Sequence, residues 1–104
     1  MARMITIFRR PTDIAAFDTH YFEIHVPLAK TLPGLRKYEV SQGPIATRAG
    51  TSDFHLVSTL HFDDLTAIKQ AFASPQGQAC GGDRRAFAPD EAQSLLLLFD
   101  TREV

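Results

Sequence analysis

The sequence predicts an α+β fold: four antiparallel strands in one sheet, with two helices on one of its faces. Three observations lead there. Hydrophobic periodicity changes along the chain in the order strand, helix, strand, strand, helix, strand. The connections are short, which with the right-handed crossover rule folds that order into the ferredoxin-like βαββαβ arrangement. The size and mix, 104 residues with 44% hydrophobic and 22% charged, are those of one ordinary globular domain spanning residues 1–104.

Met4 to Phe8 is β-branched and aromatic, apolar on both sides of the pleat and closed by Pro11, so it forms the first strand. Thr12 or Asp13 caps a helix on which Phe17, Tyr21, Ile24 and Leu28 form one apolar stripe. Pro27 kinks or restarts that helix near His25, because its ring lacks an N–H and disfavours α geometry at Val26. Pro33-Gly34 ends the segment, and Leu35 to Gln42 alternates as a half-exposed second strand. Gly43 to Asp53 has loop composition and makes a long hairpin tip. In the third strand, Phe54 to Phe62, one face carries Phe54, Leu56, Ser58, Leu60 and Phe62, and the other His55, Val57, Thr59 and His61. Asp63 and Asp64 cap a helix striped by Leu65, Ile68 and Phe72. Ser74-Pro75 starts a further helical segment toward Phe87, weakened at Gly81-Gly82 by about 1 kcal/mol per glycine. Ser94 to Phe99 is the last strand, apolar on both faces.

Two helices cover only one face of such a sheet. The first and last strands would leave an apolar face open to water, and a second copy packed face to face would close it. The sequence therefore predicts a homodimer packed face to face. Eleven basic against twelve acidic residues give a net charge of −1 with no basic cluster, which argues against a nucleic-acid partner. The single cysteine, Cys80, fits a reducing cytoplasm, and no run approaches the ~20 apolar residues of a membrane span. Nucleotide-binding glycine patterns, a Gly-x-Ser-x-Gly elbow and paired-cysteine zinc motifs are absent.

The segment His25 to Glu39, HVPLAKTLPGLRKYE, resembles the EthD family, named for a protein of ethyl tert-butyl ether degradation. Its members share a helix ending in His-x-Pro-Leu and a Leu-Pro-Gly-Leu turn into a strand with a Tyr. The third strand and ASPQGQACGGDRRAFAP extend the resemblance over nearly the whole chain, although Gly81-Gly82 depart from the family's better helix formers. The resemblance implies a dimeric α+β barrel. It also implies oxidoreductase-like chemistry in a superfamily that includes lactone isomerases, cofactor-independent oxygenases and haem-binding enzymes. Fold alone does not choose among them.

His25 leads the candidate catalytic residues: it lies at a helix break, and an imidazole titrates near neutrality. A helix-terminal histidine bonded to a carbonyl is the competing reading. Tyr38 is a candidate phenol donor or a core tyrosine reaching the cavity rim. In muconolactone methylisomerase relatives a His and a Tyr at these two positions are implicated in the site. Asp83 matches the family's segmental Asp and is a candidate carboxylate partner for His25, against a solvated or capping role. Val40, sharing Tyr38's face, and His55, Val57, Thr59 and His61 are candidate substrate contacts. His55 and His61 lie roughly 20 Å apart along the strand, and His20 and His25 about 140° apart around an α-helix, so no local metal pair is expected. Cys80 has no basic sequence neighbour to activate it and is expected to be passive.

The leading functional reading is therefore an enzyme of the EthD type that needs no cofactor. It would bind a small, mostly apolar, oxygenated molecule of lactone, aromatic or polyketide-like kind, with His25 moving a proton and Tyr38 stabilising an oxyanion. Isomerase, lyase and oxygenase chemistry all fit. The alternative is a non-catalytic module of the same fold holding a metabolite or haem, and a structural dimer with a filled barrel is a third. The cavity is expected to unite His25 and Tyr38 with the His55 face of the third strand.

Overall fold

A computed structural model describes residues 1–104, apart from the side chain of Glu91. Strands β1 (Ala2–Arg9), β2 (Lys37–Val40), β5 (Phe54–Phe62) and β6 (Ser94–Asp100) form an antiparallel sheet in the order β2-β5-β1-β6. The tip between β2 and β5 carries a small hairpin of β3 (Ala46–Thr47) and β4 (Gly50–Thr51). Helices α3 (Leu65–Ala73) and α4 (Pro75–Phe87) follow β5. The fold is the ferredoxin-like α+β arrangement with its helices on one face.

Caps form where side-chain oxygens meet the first free N–H groups of each helix. Asp13 accepts from Ala16, Asp64 from Ala67 and Ser74 from Gly77. Helix α4 runs unbroken through Gly81-Gly82 to Phe87.

The first helix departs most from its sequence pattern. It consists of α1 (Ile14–His20), a π-helical turn (Tyr21–His25) and α2 (Val26–Ala29). Pro27 has no N–H to give and would crowd the carbonyl four residues back. The chain widens just before it, and the Val26 N–H reaches the Tyr21 carbonyl five residues back. That extra residue shifts the inward register. Phe17 and Tyr21 are buried as the stripe predicts, but the next inward positions are His25 and Ala29, and Ile24 is 48% exposed.

Register assigns the sheet faces. Met4 pairs with Leu60 and Leu98, Thr6 with Ser58 and Leu96, and Tyr38 with Leu60, so these side chains share the helix side. Leu56 and Leu60 are buried there. Ile5, Ile7, Val57, Thr59, His61, Leu95, Leu97 and Phe99 face the other way. No helix covers that side, where Leu95, Leu97 and Phe99 are exposed; Leu96 and Leu98, on the helix side of the same edge strand, are exposed as well.

Candidate active site

His20 and His25 converge, contrary to the divergence an α-helix would give them. Five residues advance about 140° around an α-helix, but a turn closed by a bond to the fifth residue back brings them close to one face. Between them lies Asp83, from α4. The His20 Nε2–H donates to Asp83 Oδ1 at 2.8 Å and the His25 Nδ1–H to Asp83 Oδ2 at 2.9 Å. A carboxylate only accepts, so each imidazole carries its proton on the nitrogen facing Asp83. The neutral His25 ring therefore keeps a lone pair on Nε2, beside Cys80 Sγ at 3.9 Å.

His25 is 8% exposed, packed against Tyr21 and Phe87 with ring centroids 5.3 and 4.9 Å away. Burial pulls its pKa below the usual histidine value, outweighing the bond and charge of Asp83, which raise it; His20 and Arg84 add to the lowering. The ring is neutral at neutral pH, as a base must be. Because it is buried, His25 also contributes packing, although it lies at a helix break.

The Tyr38 hydroxyl lies 2.6 Å from that of Tyr21, which also has the Ser58 hydroxyl as a hydrogen-bonding neighbour. Burial drives both phenol pKa values upward, and for Tyr38 the nearby Tyr21 adds to this. Both stay protonated and able to donate. The Cys80 thiol is pushed up to about 11, chiefly by burial and then by the Asp83 charge. It is therefore a thiol, not a thiolate nucleophile, at neutral pH.

A cavity of about 670 Å³ lies between the helix side of the sheet and the helices. His25, Tyr38 and Cys80 border it with Met4, Thr6, Phe8, Ser58 and Leu60 on the sheet and Ile68, Phe72 and Gly81 on the helices. Small side chains at Ala29, Cys80, Gly81 and Ser94 leave the room. Such a volume suits a drug-sized molecule.

The structure brings His25 and Tyr38 to one cavity and sets Asp83 behind His25. It separates them from the expected strand contacts. Tyr38 sits opposite Leu60, so it shares the apolar face of β5 and not the histidine face. Val57, Thr59 and His61 lie across the sheet, where His61 bonds Glu39 at 2.7 Å. His55 leaves both groups: a register shift opposite Phe8 and Arg9 is a β-bulge, which turns His55 toward the first helix. There it bonds Asp18 at 2.6 Å and meets the Phe17 ring edge-on. Val40 faces the cavity side but packs against the buried cluster of Phe8, Phe17, Tyr21, Leu56 and Ala88 and does not border the cavity. His20, Ser58 and Thr6 belong to the site or its support and were not foreseen. The signal for Ser58 was a lone hydroxyl between Leu56 and Leu60; that for His20 was its distance to His25 across a turn loosened by Pro27. Among the described residues no group of three or more His, Cys, Asp or Glu side chains is arranged to hold a metal ion, and no helix is long and apolar enough to cross a membrane.

The EthD domain model matches residues 9–91. An uncharacterised 11.0 kDa protein of the thcB-thcC intergenic region of Rhodococcus erythropolis is 34% identical over 103 residues, covering 99% of this chain and 96% of that protein. The crystal structure of an ethyl tert-butyl ether degradation (EthD) family protein from Bacillus halodurans is 32% identical with a TM-score of 0.87, covering 98% of this chain and 99% of the other. SnoaB, a cofactor-independent oxygenase from Streptomyces nogalater, is 19% identical with a TM-score of 0.67, covering 99% and 94%. At that identity it shows the fold alone.

Proposed function

The chain belongs to the EthD family, and from that premise we propose that it is a homodimeric enzyme performing acid–base chemistry on a small, apolar, oxygenated molecule. The observation that carries this is the buried His25 beside the cavity, its Nδ1–H bonded to Asp83 at 2.9 Å and its pKa lowered by burial. In an imidazole so held, the Nε2 lone pair, which otherwise has the Cys80 thiol as its neighbour at 3.9 Å, takes a proton from a ligand, and Asp83 stabilises the imidazolium that forms. Tyr38, kept protonated, donates to the oxygen on which charge develops. His20 is a positioning residue, because it occupies the second oxygen of Asp83 and fixes the rotamer that orients His25. The substrate sits within one protomer. The partner covers the opposite sheet face, where Leu95 is 53% exposed and Leu97 40% in the isolated chain.

Solvent deuterium exchange tests the reading without knowledge of the natural substrate. A panel of small ketones, lactones and phenols is incubated with the protein in D₂O and followed by NMR. At least one acidic C–H exchanges faster than in buffer, and His25→Gln slows it by about 10²–10⁴-fold. No acceleration across the panel, or an undiminished rate in the variant, favours a binding module instead.

A further inference from the structure

We propose that the cavity selects anionic amphiphiles: an apolar body carrying one carboxylate, whose charge is received by Lys69 and Arg84. This rests on the reading of the cavity as a small-molecule site and names the class of molecule. Its lining falls into three zones. Met4, Phe8, Leu60, Ile68 and Phe72 make an apolar middle; Tyr38, Ser58 and Thr6 supply neutral hydroxyls on the sheet; Lys69 from α3 and Arg84 from α4 are its only charged side chains. No Asp or Glu borders it among the described residues, so the lining carries a formal charge of +2 from those two cations.

Those charges are not spent elsewhere. Among the described residues neither Lys69 nor Arg84 has a carboxylate within 4.0 Å. Arg84 Nη1 donates to the Ala88 carbonyl at 3.2 Å, which leaves the rest of its five-donor guanidinium open. Asp83, next to Arg84 in sequence, is committed to the two histidines. A neutral ligand would bury apolar surface beside two unmatched cations, and a cationic one would add a third charge. A carboxylate gains charge-assisted bonds. The neutral hydroxyls then suit a carbonyl or hydroxyl oxygen elsewhere on the same molecule, within reach of His25.

The test compares 1-naphthoate with 1-naphthamide, which match in shape and differ in charge, by amide-detected NMR titration of the whole protein. Naphthoate shifts the resonances of cavity residues and binds at least about fivefold tighter than naphthamide, the scale of a partly exposed ion pair. Lys69 is exposed on α3, so Lys69→Glu leaves the fold intact; it weakens naphthoate and leaves naphthamide unchanged. Added salt narrows the difference in the wild type. Equal affinities in the wild type, or a preference that survives Lys69→Glu, overturn the proposal. Because no turnover is measured, that failure is separate from failure of the catalytic reading, which a charge preference unaccompanied by deuterium exchange would indicate.

Discussion

Replacing Asp83 by Asn tests the arrangement that gives His25 its chemistry. Asp83 accepts from two rings, His20 at 2.8 Å and His25 at 2.9 Å, and the carboxamide can accept with one atom only; its nitrogen donates. If that nitrogen faces His25 Nδ1, the ring proton moves to Nε2 and no lone pair faces the cavity. If it faces His20, His25 keeps its tautomer but loses the charge that stabilises its imidazolium. The two cases bracket the loss. A carboxylate-to-amide change behind a catalytic histidine costs on the order of 10⁴-fold in a Ser-His-Asp triad through the wrong tautomer. Loss of the charge alone lowers the His25 pKa further, since Asp83 is what raises it against burial, and weakens the base. The assay is deuterium exchange on the panel member the wild type accelerates, together with imidazole nitrogen shifts, which report the tautomer directly. The expected result is a rate down by 10²-fold or more with the dimer intact. A variant within twofold of wild type, or a wild-type His25 with its proton on Nε2, refutes the base assignment.

Tyr38→Phe keeps the ring and removes the hydroxyl 2.6 Å from Tyr21; it slows exchange by up to about 10²-fold through the lost oxyanion donor, with ligand affinity measured in parallel to separate rate from binding. The lowered pKa of His25 makes the unfolded chain the stronger proton binder. Stability is therefore full above pH ~6.5, falls as pH drops below it, and levels off once the folded ring protonates; melting curves from pH 7 to 5 show a smaller decline in His25→Gln, and equal declines contradict this. Gly77→Ala drives a methyl into the backbone of Ala71 and Phe72 and costs about 3 kcal/mol or more. Gly82→Ala meets only the end of Arg85 at 3.8 Å and raises stability by about 0.5–1 kcal/mol, both read by denaturant titration. Leu97→Lys, on the open sheet face, gives a monomer by analytical ultracentrifugation; a dimer that tolerates it places the interface elsewhere.

Strands and caps were legible because their determinants are local. Parity along Phe54 to Phe62 is a property of the strand itself, and Asp13, Asp64 and Ser74 bond N–H groups only three residues on. The placement of the site depended on two irregularities that interrupt periodicity. Pro27 was visible, and a kink was the natural expectation; the π-turn that replaced it carried His25 inward and aligned it with His20. The bulge at His55 has no residue signature such as glycine, so nothing local announced that this side chain would leave its face. Facing across strands was a further gap. Whether Tyr38 shares a side with Leu60 or with His61 depends on β2–β5 register, which alternation within either strand leaves open.

The two sides of the sheet carry separate tasks, and that separation explains the odd distribution of apolar residues. Leu96 and Leu98 point to the cavity, which Leu95 also borders, while Leu97 and Phe99 belong to the uncovered face alone. The last strand is therefore apolar on both faces for two different reasons under the proposed function, one side bordering the cavity and the other offered to a second protomer. The apolar pattern of the strands points to a partner, but the cavity lies on the helix side and not, as the histidine face of β5 suggests, on the partner's side. A face buried in a dimer must be continuous, whereas a cavity needs small side chains where helix meets sheet. Ala29, Cys80, Gly81 and Ser94 supply these on the helix side, so the cavity is built from one chain alone, and in the proposed dimer the second protomer covers the far face of the sheet without adding to it.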